Sequence, residues 1–199
     1  AEGLRAEEPR AEATDTDLVH LKWLTSLHTL NLRGTQVTKT GLEHLTVLTS
    51  LHSLSLSGTQ VSDVGLEHLK GLTNLETLFL GRTEVTNAGL VHLKALNNLE
   101  ALAVCHTQIG DAGLEHLKGM ANLQRLDLRD TQVTDAGLVH LKGMTNLDTL
   151  NLWGTDVTGV GLEQLQETNL ATLDLYGTRI TDIGLEHVRG LAKLRGLYE

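Results

Sequence analysis

LETLFLGRTEVTNAGLVHLKALNN, from Leu75 to Asn98, is one copy of a phrase that recurs along the chain; LQRLDLRDTQVTDAGLVHLKGMTN, from Leu123 to Asn146, is another. Leu27, Leu51, Leu75, Leu99, Leu123 and Leu147 open copies at a spacing of 24 residues, and Leu170 and Leu194 continue the series at 23 and 24. Self-similarity at a fixed period of this length is the mark of a repeat architecture. Seven units and the start of an eighth fill the chain after Ala13.

Periodicity divides each unit in two. Leu78 and Leu80 alternate with Thr77, Phe79 and Gly81, which is the pattern of a half-buried strand. Val85 returns the chain to the core, and Thr86-Asn87 supplies a polar side chain for a helix start. Leu90 and Leu93, three apart, share one helical face. Lys70, Lys94, Lys118 and Lys142 fall where a cation complements a helix C-terminus, and Asp63, Asp111, Asp135 and Asp182 at the opposite end. Gly71, Gly119 and Gly143 are expected as left-handed caps.

A strand and a short helix cannot bury their apolar faces alone; stacked, they form a curved parallel sheet backed by helices. With the pattern L-x-x-L-x-L, the phrase resembles the leucine-rich repeat family. Its TDAGL segment is similar to the helical repeats of the ribonuclease-inhibitor and F-box-adaptor branch and of bacterial proteins with such repeats. No F-box segment accompanies it. The resemblance implies an α/β horseshoe over residues 14–199: a half repeat (Thr14 to Ser26), seven repeats and a truncated eighth. Where the family usually has Asn or Cys, this chain has Thr35, Thr59, Thr83, Thr107, Thr131, Thr155 and Thr178, expected to bond the turn backbone. Residues 1–13, with Glu2, Glu7, Glu8, Glu12 and Pro9, read as a flexible acidic tail. The unit from Leu147 to Asn169 lacks the apolar residue that follows Lys-Gly elsewhere and has Gln164 for His, so a defect is expected on its helical side.

Composition fits many copies of one packing solution: 40% hydrophobic residues but only 3% aromatic. A net charge of −9 argues against nucleic acid, which calls for a basic stripe, and against an anionic membrane surface. No apolar run is long enough for a membrane span, and Ala1 to Ala13 holds no signal-peptide core. Either a cytoplasmic chain or one exported with its leader removed fits. Cys105 stands alone, which excludes an internal disulfide.

Strand positions pointing away from the core are where function is expected. They form three rows: Thr29, Ser53, Thr77, Ala101, Arg125, Thr149, Thr172; then Asn31, Ser55, Phe79, Ala103, Asp127, Asn151, Asp174, Tyr198; then Arg33, Ser57, Gly81, Cys105, Arg129, Trp153, Tyr176. Four of the five aromatic residues, Phe79, Trp153, Tyr176 and Tyr198, fall on these rows. Trp, Tyr and Arg dominate interface energetics, and Arg129, Trp153 and Tyr176 sit on adjacent strands. The candidate site is therefore Phe79, Arg125, Asp127, Arg129, Trp153, Tyr176 and Tyr198, on a concave sheet about 30–35 Å long. Such a face suits a protein or peptide better than an enclosed metabolite. Alternatives are a structural or self-associating segment pairing along the strand Leu194 to Glu199, and a carbohydrate surface on Trp153 and Tyr176.

The remaining chemistry is weaker. His20, His44, His68, His92, His116, His140 and His187 recur once per unit, but neighbouring helices about 8–10 Å apart are too far for two of them to share a metal. Cys105 and His106 point to opposite sides of an extended strand. No phosphate-binding glycine loop, zinc spacing or nucleophile elbow occurs. The expectation is a non-catalytic module without cofactor or metal.

Overall fold

The computed structural model describes residues 13–199; the acidic segment expected over 1–13 lies, save for Ala13, outside the described residues. Eight strands of three residues form one sheet: β1 (Thr29–Asn31), β2 (Ser53–Ser55), β3 (Thr77–Phe79), β4 (Ala101–Ala103), β5 (Arg125–Asp127), β6 (Thr149–Asn151), β7 (Thr172–Asp174) and β8 (Gly196–Tyr198). They follow chain order, all parallel, with no slip of register: Leu30, Leu54, Leu78, Leu102, Leu126, Leu150, Leu173 and Leu197 lie side by side. The ladder runs on past the strands. Leu80 N–H donates to the Ala103 carbonyl at 2.7 Å and Arg82 N–H to Cys105 at 2.9 Å, so the third outward row is also held in lateral register.

The opposite layer is thinner than the spacing suggests. It consists of α1 (Asp15–Leu18), α2 (Lys39–Glu43), α3 (Asp63–Leu66), α4 (Asp111–Glu115) and α5 (Asp182–Arg189), with 3₁₀ turns at Gly89–Ala95, Gly137–Leu141 and Val160–Leu165 in the other repeats. Segments this short cannot hold themselves as helices; tertiary packing does it. Leu90, Leu93, Leu114, Leu117, Leu138 and Leu141 are wholly buried between these turns and the sheet. Among the described residues, the core contains no Phe, Tyr or Trp.

Asp63, Asp111 and Asp182 stand in the first turns of α3, α4 and α5 as expected, and Asp63, Asp111 and Asp135 also act across repeats. Asp63 accepts from the backbone N–H of Thr86 at 2.7 Å and from its hydroxyl at 2.6 Å, 23 residues ahead. Asp15 does the same to Thr38, Asp111 to Thr134 and Asp135 to Thr158, while Asn87 accepts from Gly110 N–H. Thr86-Asn87 is accordingly split: the Thr86 hydroxyl accepts from Ala88 N–H in its own turn, whereas Asn87 serves the next repeat. These staples also explain the recurrent glycine of the Ala-Gly-Leu phrase. A Cβ at Gly89 would collide with the Asp63 carboxylate, and one at Gly113 would lie 2.6 Å from Asn87 Oδ1. That glycine is kept for space. Two repeats lack the staple, because Lys39 and Gly159 stand in the acidic position.

Two further ladders support the strands. The Thr hydroxyls bond within their own repeat, each donating to the carbonyl three residues back, as Thr107 does to Val104 at 2.6 Å. Asn74, Asn98, Asn122 and Asn146 reach the preceding repeat, donating to the carbonyls of Thr49, Thr73, Asn97 and Ala121 at 2.8–3.0 Å. Of the expected left-handed caps, Gly119 (φ 93°) and Gly143 (φ 77°) adopt that conformation and Gly71 does not. In the shortened sixth repeat Thr168 takes the buried place held by Met144 one repeat earlier, and its hydroxyl donates to Leu165 O at 2.5 Å. The missing residue is absorbed there, and β6 and β7 pair without interruption.

Candidate functional site

The sheet register brings part of the expected site together. Trp153 and Tyr176 meet edge to face, with ring centroids 5.7 Å apart and planes at 82°. That is a preferred geometry for two aromatic quadrupoles. The Arg129 guanidinium carbon lies 6.0 Å from the Trp153 ring centroid, at the outer reach of a cation–π contact. Asp127, two residues before Arg129 and on the same side of the strand, fixes that guanidinium: Nη2 donates to Oδ2 at 2.7 Å and Nε to Oδ1 at 3.0 Å. These bonds push the Arg129 pKa further up and hold its charge in place. Trp153 remains 40% exposed and Tyr176 57%, so both faces stay available above a rigid base.

The floor under Trp153 is Gly177. It has a φ of 70°, and a Cβ there would lie 3.2 Å from the indole ring. Glycine at this place both permits the left-handed turn and leaves room for the ring. Asn151 accepts from Trp153 N–H at 2.9 Å and donates to Asp174 at 3.0 Å, and Asp174 accepts from Tyr176 N–H. Sequence reasoning placed Asn151 and Asp174 on the face without giving them this supporting role.

Of the other expected residues, Phe79 and Arg125 line a concavity of about 390 Å³ together with Asp127 and Arg129, whereas Tyr198 lies outside it. Arg125 is on β5, beside Ala101 of β4 and Thr149 of β6, with an exposed side chain. Phe79 is two strands away on β3, next to Ser55 and Ala103, and Tyr198 is on β8 beside Asp174. Phe79 also lines a basin of about 740 Å³ over the first five strands, which reaches Asp127 and Arg129.

A column that the sequence did not reveal runs along the rim, one residue beyond the third row. Gly34, Gly58, Gly154 and Gly177 take positive φ there, as that turn demands, but the three central repeats use Arg82 (φ 57°), His106 (φ 54°) and Asp130 (φ 50°). A left-handed non-glycine residue costs roughly 1–2 kcal/mol. The signal was present as alignment with the four glycines. His106 Nδ1 lies 3.1 Å from Asp130 Oδ2.

Catalytic and metal readings gain nothing from this geometry. Burial first, and then the Asp127 carboxylate, push the Cys105 thiol up, which disfavours the thiolate. His106 faces Asp130. Among the described residues, no group of three or more His, Cys, Asp or Glu side chains is placed to hold a metal ion. The convex histidines are separate: His68 Nε2 is 4.0 Å from Glu43, while His116 Nδ1 is buried without a partner. No helix among the described residues is long and apolar enough to cross a membrane.

The profile of a family described as Leucine Rich repeat matches residues 24–45, 47–70, 95–118 and 119–141. The chain is a leucine-rich repeat protein. Among solved structures, this leucine-rich repeat protein is similar to an internalin (inlF) from Listeria monocytogenes, with a TM-score of 0.75 and 27% identity over 90% of this chain and 49% of that one. It is also similar to internalin C2 of the same organism, with a TM-score of 0.71 and 28% identity over 89% of this chain and 74% of that one. The chain thus spans about half the length of the first and three quarters of the second. No curated protein sequence matches it.

Proposed function

We propose that this leucine-rich repeat protein is a non-catalytic module that binds a protein or peptide on its concave β-face, centred on Arg129, Trp153 and Tyr176. The observation that carries this reading is the preorganised aromatic–arginine cluster. Its arginine is locked by Asp127, its indole is seated over Gly177, and both rings are left half exposed although no Phe, Tyr or Trp among the described residues serves the core. Anchors already fixed before binding lose little entropy when a partner arrives. Arg125 and Asp127 extend the cluster on β5; Phe79 and Tyr198 flank it along the same face.

The test is capture from a native extract with the wild type beside Arg129→Ala/Trp153→Ala/Tyr176→Ala, after circular dichroism shows both folded. Loss of a captured partner in the triple variant supports the cluster; equal capture removes it as the site.

A further inference from the structure

We infer that the basin at the N-terminal end of the concave face takes an acidic segment of a partner polypeptide, its carboxylates held by Arg33 and Arg82. This rests on the concave-face reading and adds the chemistry of the partner.

The basin is shallow-floored because its strands carry small side chains. Ser55, Ser57, Gly81 and Ala103 line about 740 Å³, with Phe79 rising among them. Its charge is opposite to that of the molecule. The chain carries −9, yet Arg33 and Arg82 line the basin, both exposed, and among the described residues neither pairs with a carboxylate within 4.0 Å. The one carboxylate in the lining, Asp127, is already engaged by Arg129. An incoming carboxylate therefore meets two free guanidinium groups, the side chain best shaped to grip it.

Arg82 makes the point a second way. Its backbone sits at φ 57°, where the first two and last two full repeats use glycine. The side chain gained at that cost projects from the rim beside the basin.

Spacing narrows the form of the ligand. Arg33 and Arg82 are two strand steps apart, about 10 Å. A polyproline II chain places every third residue about 9.3 Å along its axis, so acidic residues at every third position of an extended segment crossing the strands fall in step with both arginines. A long polyanion does not fit as well. Glu76 and Glu100 lie at the other end of the strands, and Glu84 follows Arg82 by two residues on the outer side of the rim. A nucleic acid needs a continuous basic track, whereas a short segment along the rim avoids these carboxylates.

The probe is a fluorescein-labelled peptide of four Asp-Pro-Pro triplets, compared with one of four Asn-Pro-Pro triplets and with a twelve-nucleotide oligothymidylate, by fluorescence anisotropy at low and physiological salt. The expected result is about tenfold tighter binding of the acidic peptide than of the neutral one, the scale of one charge-assisted hydrogen bond, narrowing as salt rises. In Arg33→Gln/Arg82→Gly the preference falls to about one; the second change also relieves the left-handed backbone, so loss of fold does not confound it. Lys70→Gln/Arg189→Gln, which removes two cations from the opposite layer, keeps the preference. Equal or no binding of the two peptides, a preference that survives the arginine variant, or an oligonucleotide binding as tightly as the acidic peptide overturns the inference. If the arginine variant still captures a partner that the Arg129/Trp153/Tyr176 triple variant loses, the concave-face reading stands and only the acidic chemistry falls.

Discussion

Two columns run the length of the solenoid and treat exceptions in opposite ways. In the staple column, Asp15, Asp63, Asn87, Asp111 and Asp135 each bond the following repeat, and the exceptions, Lys39 and Gly159, fall near the ends of the array and forgo the bond. In the rim column the local rule is glycine, and the exceptions, Arg82, His106 and Asp130, are three consecutive repeats at the centre. The first column is what stability asks for. The second departs from it where a face open to solvent carries charge, and strain held at such a place points to function.

The comparison can be broken most forcefully from the staple side. Gly161→Ala places a Cβ 2.7 Å from both Cα and O of Asp135, backbone atoms with no room to withdraw, and should cost about 3 kcal/mol in chemical denaturation. Gly71→Ala, with nothing within 4 Å, is the control and should change stability little. An equal effect at both sites would show that the close approach of Asp135 is not what keeps the glycine. Next in size, Asp111→Ala leaves the Thr134 amide and hydroxyl without their acceptor and should lose about 2 kcal/mol. Lys39→Asp offers Ser62 the bond it lacks and should gain a fraction of that.

The rim column predicts the reverse sign. His106→Gly should stabilise the fold by about 0.5 kcal/mol, the relief of a left-handed residue less the added chain entropy of glycine. A loss would show that the His106–Asp130 contact outweighs the strain. The smallest effect is kinetic. Cys105 should react with a disulfide reagent more slowly than an exposed thiol at mildly alkaline pH, because burial and Asp127 hold its pKa up. Asp127→Asn removes the carboxylate's part of that shift, so the thiol should ionise at lower pH and react faster; an unchanged rate would leave burial alone as the cause.

The sheet, its register and the outward rows could be read from the sequence because period-two alternation and the 24-residue repeat fix which side chains share a face. The adjacency of Arg129, Trp153 and Tyr176 follows from the same register. What could not be read depends on contacts between repeats. Asp63 looks like a helix-dipole residue until the next turn is stacked upon it, and Asn98 looks like a loop residue until its amide finds Thr73. The clamp of Asp127 on Arg129 needed side-chain geometry. Arg82, His106 and Asp130 were hidden because a left-handed backbone leaves a trace in sequence only where glycine supplies it.

The absent staples have a consequence for how the array comes apart. Stability in a solenoid is close to a sum of units and of couplings between neighbours. Ser62 gains no side-chain bond from Lys39, and Thr181 none from Gly159, its hydroxyl donating instead to Thr158 O at 3.2 Å. These are the weak couplings in the chain, so unfolding should proceed in blocks, with the repeats at either end parting first. The segment between the two seams, from Asp63 to Thr158, would form the most cooperative unit. It also carries the rim exceptions and Trp153, so its amide hydrogens should exchange last.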